Sequence, residues 1–173
     1  MTKILIVSDS HGSVAELEKL LEKHGDEVDM MLHCGDSELS TSHPIIERFR
    51  AVRGNCDFDS GFLEERLEEA GGRRIFVTHG HRYSVKSSLM NLRFRGKELN
   101  ADIICFGHSH VLGAEKIDDL LFINPGSILL PRMRKERTYV IIELSGESVY
   151  LQVYDIESGE MQDLFSEFTL PKR

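Results

Sequence analysis

The sequence predicts an α/β fold in which two stacked sheets carry helices on their outer faces. Over residues 3–110, apolar strand-like runs alternate with amphipathic stretches that have helical spacing. Residues 111–154 instead favour short antiparallel strands, joined by turns at Asp118-Asp119 and Ser145-Gly146. Two stacked sheets with helices outside satisfy both halves. The 173 residues contain no internal repeat or linker, so we expect one domain over residues 1–173.

The first predicted strand covers residues 3–7 and leads directly into Asp9 and His11. Its apolar, mostly β-branched run is typical of a strand buried on both faces, as in a sheet covered by helices. Residues two apart in an extended segment point the same way, so Asp9 and His11 can converge. Taken alone, such a pair at the end of a strand is more often a cap and a surface residue. It gains meaning only if other strands bring similar side chains to the same edge.

A helix is predicted immediately after Gly12. Ser13 and Glu16 have the spacing of a capping box at its start, and Gly25 is a C-cap. His24, in the last turn, is expected at the surface, where a cation favours the helix dipole. The apolar residues of this helix fall on one face: Val14, Leu17, Leu20 and Leu21.

The remaining elements are predicted from apolar runs and turn residues. They are a strand at 28–33, a short helix at 44–50, strands at 51–53, 74–78 and 102–106, a helix at 85–99, and strands at 111–116, 120–123, 138–144 and 149–154. Residues 62–70 stay open between helix and strand, because Gly71-Gly72 and the next strand also suggest a hairpin. Gly96 leaves a gap in one helix stripe, where close packing on a sheet is expected.

Composition limits the functional classes. No apolar run approaches the ~20 residues of a membrane span, and the start of the chain is no signal peptide. Three cysteines without CxxC spacing fit reduced thiols in a cytoplasmic protein, with Cys34 and Cys105 in the core. The net charge of −8 disfavours nucleic-acid binding. Residues 72–97 are purely basic in their charges, which fits either a solvated face or a field that attracts a small anion.

Side chains that bind metals follow five predicted strands, and a glycine adjoins nearly every one. They are Asp9, His11, Asp36, Asn55, His79, His108 and His110. Two carboxylates, four imidazoles and one amide exceed the needs of one four-coordinate ion. They suit two ions roughly 3.5–4 Å apart that share a carboxylate. Nitrogen and oxygen ligands without thiolate favour Mn, Fe, Zn or Ni over Ca.

These residues resemble the motifs of the calcineurin-like metallophosphoesterases, in particular the small bacterial and archaeal phosphodiesterase branch. The motifs stand in order as Asp9-Ser10-His11, Gly35-Asp36, Gly54-Asn55-Cys56-Asp57, His79 and Gly107-His108-Ser109-His110. The resemblance covers residues 3 to about 144. It implies a four-layered α-β-β-α sandwich and a dinuclear centre, with manganese as the first choice of metal and nickel, iron, zinc or cobalt as alternatives.

The resemblance also implies how the centre works. Asp9, His11, Asp36 and His110 would hold one ion, while Asp36, Asn55, His79 and His108 would hold the other, with Asp36 bridging. A hydroxide that bridges the ions would attack phosphorus in line, hydrolysing a small anionic phosphate ester, most simply a diester. Asn55 and Cys56 are the candidates for catalytic roles.

Three positions leave alternatives open. Many relatives have a histidine where Cys56 stands, so its thiol either donates a proton or packs as a small apolar residue. His81 either contacts substrate or packs. His33 is a candidate for orienting Asp36. His43 is expected in a loop or at an N-cap, and Asn124-Pro125-Gly126-Ser127 is a turn that borders the site at most.

An enzyme is the leading functional hypothesis. The alternative is an inactive protein-binding scaffold of the same fold, as in the eukaryotic retromer subunit; loss of ligand residues would indicate it, and none of the seven is missing. A nuclease ranks lower because the chain is short and acidic. The acidic segment 138–170 offers a strand edge for pairing between copies, so a homo-oligomer is a further expectation.

Overall fold

The strands account for most of the regular structure in the computed structural model, which describes residues 1–172. In chain order they are β1 (Thr2–Val7), β2 (Met30–His33), β3 (Arg50–Ala51), β4 (Glu65–Ala70), β5 (Arg73–Thr78), β6 (Ile103–Cys105), β7 (Gly113–Ile117), β8 (Leu120–Asn124), β9 (Thr138–Ser145), β10 (Ser148–Asp155) and β11 (Gly159–Thr169). The helices are α1 (Val14–His24) and α2 (Met90–Glu98), with single 3-10 turns at Ile46–Arg48 and His81–Tyr83.

The strands form two mixed sheets. The first has the order β11-β10-β9-β1-β2-β3 and the second the order β4-β5-β6-β8-β7. β1, β2 and β3 are mutually parallel, and so are β5, β6 and β8. β4 and β5 form a hairpin around Gly71-Gly72, which settles the open choice for residues 62–70 in favour of a strand. Within each sheet, the parallel strands therefore present their carboxyl ends at one edge.

Three apolar clusters show the layers. The central one joins residues of both sheets, such as Ile6 of β1 and Ile75 of β5, and so lies between the sheets. A second cluster packs α1 against the outer face of the first sheet, and a third packs α2 against the second sheet. A Cβ at Gly96 of α2 would lie 2.4 Å from Cδ1 of Ile104, so glycine permits the close approach that was expected. The predicted four-layered α-β-β-α sandwich is confirmed.

Two predicted details of α1 are wrong, and distant residues explain both. Ser13 makes no side-chain capping bond. Glu16 instead accepts a hydrogen bond from the Arg137 guanidinium at 3.2 Å. His24 is buried rather than exposed, and its Nε2 lies 2.8 Å from the Tyr139 hydroxyl of β9. Both contacts reach residues more than a hundred positions away, which no local pattern reveals.

The helix predicted at residues 85–99 begins later, at Met90, after left-handed Ser84 (φ 53°) interrupts the chain. The helix predicted at 44–50 is only the 3-10 turn Ile46–Arg48. His43 acts as expected, since its Nδ1 accepts a hydrogen bond from the Ile45 amide at 3.2 Å.

Arginines of the basic segment 72–97 have carboxylate partners. Arg82 lies 3.2 Å from Glu64, and Arg95 lies 3.0 Å from Glu65. These contacts favour a solvated, paired face over a free cationic field. Among residues 1–172, neither helix combines the length and apolarity needed to cross a membrane.

Candidate metal centre

The predicted ligand residues lie on the loops that follow the parallel strands. Five of them have left-handed backbone conformations: Asp9 (φ 55°), His11 (φ 42°), Asp36 (φ 57°), His108 (φ 69°) and His110 (φ 59°). Such conformations cost roughly 1–3 kcal/mol each for residues other than glycine and cluster at functional sites. The surrounding packing holds the backbone in an unfavourable conformation so that the side chains turn toward one another.

Asp9 lies at the middle of the cluster and is fully buried. Its Oδ2 accepts hydrogen bonds from the Ser8 hydroxyl (2.5 Å) and the His108 amide (3.2 Å). Its Oδ1 is buried without a hydrogen bond, although Nε2 of His110, His11 and His79 lie 3.1, 3.6 and 3.9 Å away. Burial alone would raise the pKa of Asp9, but contacts from His11 and His110 hold that pKa below its usual range. A cation would satisfy this oxygen.

His110 and His11 present nitrogens to the same point. The Nδ1 of His110 donates to the Leu130 carbonyl at 2.7 Å, because that carbonyl can only accept. Its Nε2 therefore carries a lone pair, and it lies 3.1 Å from Nε2 of His11. A carbonyl that fixes the tautomer in this way is typical of metal-binding histidines.

His79 is oriented by the same device. Its Nδ1 donates to the Cys34 carbonyl at 2.7 Å, which leaves an Nε2 lone pair facing Asp36 Oδ2 (3.2 Å) and Asn55 Oδ1 (3.0 Å). Burial would lower the pKa of His79, but the charges of Asp36 and Asp9 raise it above its usual value. The negative field that raises this pKa equally favours a bound cation.

The donor atoms fit divalent metal ions. Three groups have all their donor atoms within 4.8 Å of one another: Asp9 with His11 and His110, Asp9 with Asp36 and His79, and His11 with Asp36 and Cys56. Carboxylate oxygens and imidazole nitrogens that converge on a buried, unpaired oxygen suit a divalent transition metal. Asp9, Asp36 and His11 each belong to two of the three groups, so the groups form one continuous cluster.

The comparisons with known proteins agree with this chemistry. The sequence matches the calcineurin-like phosphoesterase superfamily domain over residues 2–147. The chain belongs to this superfamily. It is 48% identical over 167 residues to a probable metallophosphoesterase of Bacillus subtilis, covering 96% of this chain and 99% of the relative. It is 32% identical over 146 residues to a phosphodiesterase of Methanocaldococcus jannaschii, covering 72% and 82%.

Solved structures share this fold. A predicted phosphoesterase from Streptococcus pneumoniae has a TM-score of 0.92 and 33% identity, with 97% of both chains covered. Vacuolar Protein Sorting 29 from Cryptosporidium parvum has a TM-score of 0.79 and 22% identity, with 97% of this chain and 98% of that chain covered. The second comparison concerns the fold alone.

His108 and His81 lie at the side of the centre next to His79. Their rings lie 5.1 and 5.4 Å from the His79 ring, and 6.1 Å from each other. Burial, with His79 nearby, lowers the pKa of His108 to about 4 and also lowers the pKa of His81. Neither ring belongs to the three donor groups, whereas Nδ1 of His81 is buried without a hydrogen bond.

Cys56 is exposed, so of the two alternatives left open for it, packing as an apolar residue is wrong. Its amide donates to Asp36 Oδ1 at 2.8 Å. Partial burial, followed by the negative charge of Asp36, raises the pKa of the Cys56 thiol to about 11. Without a bound cation, the thiol therefore keeps its proton at neutral pH. Cys34 and Cys105 are buried, as predicted.

Asp57 was part of a motif but had no role assigned from the sequence. Its buried carboxylate accepts hydrogen bonds from the amides of Asp36 (2.9 Å), Glu38 (2.8 Å) and Gly54 (2.7 Å). It thereby joins the loops that follow β2 and β3. Its position two residues after the predicted ligand Asn55 was the feature of the sequence that could have indicated a role at the site.

The turn after β8 also positions the site. The Ser127 hydroxyl donates to the Asp9 carbonyl at 2.8 Å and accepts from the Leu130 amide at 2.8 Å. The Asn124 amide donates to the Gly107 carbonyl at 3.2 Å. The sequence predicts a turn that borders the site at most, and the strand-end position was the signal that it also positions the site.

His33 supports the Asp36 loop from behind. Its Nδ1 accepts a hydrogen bond from the Gly35 amide at 3.1 Å, so its Nε2 donates to the Ser10 hydroxyl at 2.9 Å. Burial lowers the pKa of His33 to about 4, which keeps the ring neutral. His33 thus holds the turn that carries Asp36 without touching that carboxylate.

Proposed function

We propose that this protein is a phosphodiesterase that uses two divalent metal ions, preferably manganese. The observation that carries the proposal is the buried, unpaired Oδ1 of Asp9, which lies among the Nε2 atoms of His110, His11 and His79. A buried carboxylate oxygen without a proton donor is costly unless a cation is present. Nickel, iron, zinc and cobalt are alternatives, because all accept nitrogen and oxygen ligands.

Each proposed ion has its own set of ligands. Asp9, His11, Asp36 and His110 hold one ion, and Asp36, Asn55, His79 and His108 hold the other. The place of Asp36 in donor groups with both His11 and His79 supports its role as the bridge. Its Oδ1 is fixed by the Cys56 amide, while its Oδ2 faces His79.

The bound ions would supply Lewis acidity, which lowers the pKa of water and stabilises charge on phosphoryl oxygens. The protein's own groups complete the site. Oδ1 of Asn55 lies 3.0 Å from Nε2 of His79, where it would help to hold the second ion. Nδ1 of His81 would offer a hydrogen bond to a phosphate oxygen, and the Cys56 thiol would donate a proton to the leaving oxygen. A neutral thiol at that position suits diesters better than monoesters with poor leaving groups.

The proposed substrate is a small anionic phosphate ester. The net charge of −8 disfavours long nucleic acids, and the paired arginines of segment 72–97 supply no basic groove. We place the protein in the cytoplasm, which the three unpaired cysteines support. The exposed edge of the first sheet at β11 supports the proposed pairing between copies.

A protein-binding scaffold is the second candidate. The likeness in fold to Vacuolar Protein Sorting 29 favours keeping it, since that name describes sorting rather than hydrolysis. All seven predicted ligand residues remain in this chain, which favours the enzyme. Turnover therefore separates the two.

The test uses bis-p-nitrophenyl phosphate as the substrate. Purified protein should hydrolyse it with Mn²⁺ and lose that activity in EDTA. Asp36→Ala should remove at least one bound metal and nearly all turnover, whereas Asp163→Ala, an exposed carboxylate on β11, should change neither. Absence of turnover with all of Mn, Ni, Co, Fe and Zn would refute the enzyme, and two metals retained in Asp36→Ala with full activity would refute the bridge.

A further inference from the structure

The Cys56 thiol belongs to a third donor group at the centre. Its Sγ lies with a ring nitrogen of His11 and a carboxylate oxygen of Asp36, all within 4.8 Å of one another. Ligands held at 2.0–2.3 Å from one ion lie at most about 4.6 Å apart, so small adjustments bring this group into range. The ligand sets proposed above do not include this sulfur, and the proposed role of Cys56 as a proton donor does not involve binding a metal.

The position of Cys56 is fixed by the residues around it. Its amide donates to Asp36 Oδ1 at 2.8 Å, so the thiol and that carboxylate stay together. The Asn55 amide nitrogen lies 3.5 Å from Sγ. The buried and unpaired Oδ1 of Asp9 lies 3.6 Å from Nε2 of the same His11. The sulfur therefore shares a neighbourhood that already demands a cation.

The chemistry of sulfur makes this group selective. Thiolate is a soft ligand that binds zinc, cobalt and cadmium well and manganese poorly. We propose that the Cys56 sulfur coordinates thiophilic divalent ions at the position held by His11 and Asp36, and remains an unbound thiol when the ion is manganese. This inference rests on the metal centre of the proposed function.

Coordination of a metal ion by Cys56 requires loss of the thiol proton. As the sulfur–metal bond forms, the S–H bond breaks and its proton passes to solvent, with no change in oxidation state. Coordination removes the thiol as a proton donor. A soft ion is therefore held by an extra ligand in a form that lacks the proposed leaving-group acid.

Cobalt is the probe for the first experiment. Full-length protein, stripped with EDTA and reloaded with Co²⁺, should show a thiolate-to-cobalt charge-transfer band in the near ultraviolet. Cys56→Ser should lose the band while still binding cobalt, and Cys105→Ala, a buried core thiol, should keep it. Circular dichroism checks that each variant folds, and equilibrium dialysis counts the bound metal.

Thiol alkylation gives an independent measurement. Iodoacetamide forms an S–C bond with Cys56 and releases iodide, so the rate reports a free sulfur. Zn²⁺ should slow labelling of Cys56 by about tenfold or more, whereas Mn²⁺ should change it less than about twofold. Zn²⁺ affinity should fall in Cys56→Ser, while Mn²⁺ affinity stays the same.

The outcomes separate the two proposals. If cobalt binds without a charge-transfer band, or the band persists in Cys56→Ser, the role of the sulfur is overturned and the metal centre stands. Equal protection by zinc and manganese overturns it as well. If dialysis finds no bound metal in the wild-type protein, the proposed function fails together with this inference.

Discussion

Two regions of the molecule differ in backbone conformation and in what they bury. One region is the set of loops that follow the parallel strands, and the other is the antiparallel strands β9–β11. The loops place five residues other than glycine in left-handed conformations and bury charged side chains such as Asp9 and Asp36. β9 and β10 pair without interruption over Ser148–Asp155, and β10 alternates buried and partly exposed residues throughout. One region holds strained backbone around polar groups, and the other packs apolar side chains in regular geometry.

The difference indicates a division of labour. The strained loops lower the stability of the folded protein. The neighbouring regular strands offset this cost by burying apolar residues in the central cluster, including Val140, Ile142 and Leu151. Changes in the loops should therefore affect metal binding more than folding. Changes that loosen the antiparallel strands should have the reverse effect.

The largest effect is expected for Gly107→Ala. A Cβ there would lie 2.1 Å from the Ser8 hydroxyl oxygen and 2.6 Å from Asp9 Oδ2, so the carboxylate must move. We expect Mn²⁺ affinity to fall by about 1000-fold, or about 4 kcal/mol, as measured by isothermal titration calorimetry.

Gly113→Ala is the matched control, because a Cβ at that position would meet nothing within 4 Å. Its metal affinity should equal that of the wild type. Equal affinity in Gly107→Ala would show that the loop can shift without disturbing Asp9, which would contradict the comparison.

The second prediction concerns Arg73, which joins the start of β5 to the end of the antiparallel region. Its buried guanidinium donates to the carbonyls of Gly146, Leu170 and Pro171. Arg73→Met should lower the free energy of unfolding by about 3 kcal/mol, because three carbonyls lose a charged donor. Urea denaturation measures this.

Arg74→Met serves as the control, since the Arg74 side chain is partly exposed and its Nε lies 4.0 Å from the exposed carboxylate of Glu69. The Mn²⁺ affinity of folded Arg73→Met should remain that of the wild type. A loss of affinity as large as the loss of stability would mean that the two regions are not separable.

The smallest predicted effect is the pH dependence contributed by His33. Its pKa is about 4 in the folded protein, below the ordinary value of about 6.5, so the unfolded chain binds more protons between these values. Stability is therefore lost as the pH falls from about 6.5 toward 4, and amounts to about 2 kcal/mol between pH 7 and pH 5.

Comparison with His33→Gln isolates this contribution, because glutamine has no titrating group. Urea denaturation in EDTA at both pH values should show a smaller loss of stability in the variant by that amount. Parallel pH profiles for the two proteins would exclude His33 as the source.

The metal-binding loops could be predicted from sequence because they depend on residue types placed at strand ends. Asp9, His79 and His108 each follow an apolar run, and the topology of parallel strands brings such ends together. The contacts that orient these ligands could not be predicted in the same way. His110 depends on the carbonyl of Leu130, 20 residues away, and the backbone carbonyl of Asp9 accepts from the hydroxyl of Ser127, 118 residues away.

Long-range pairing also explains the errors in the helices. Glu16 fits a local capping box, but the Arg137 guanidinium offers a stronger, charged partner once β9 is in place. His24 fits an exposed helix end until Tyr139 covers it. At the β4–β5 hairpin the residue types of 62–70 left helix and strand open, and the pairing with β5 across Gly71-Gly72 decides for the strand.

The pairing of β1 with β9 has a consequence for synthesis on the ribosome. β1 lies between β2 and β9 in the sheet, with Thr2 opposite Leu144 and Ile4 opposite Ile142. All seven proposed ligands have been translated by residue 110, yet the strand that carries Asp9 lacks one neighbour until residue 145 leaves the exit tunnel. The nascent chain must therefore keep an unpaired β1 from aggregating over that interval, and stable metal capture should follow release of β9 rather than translation of the last ligand.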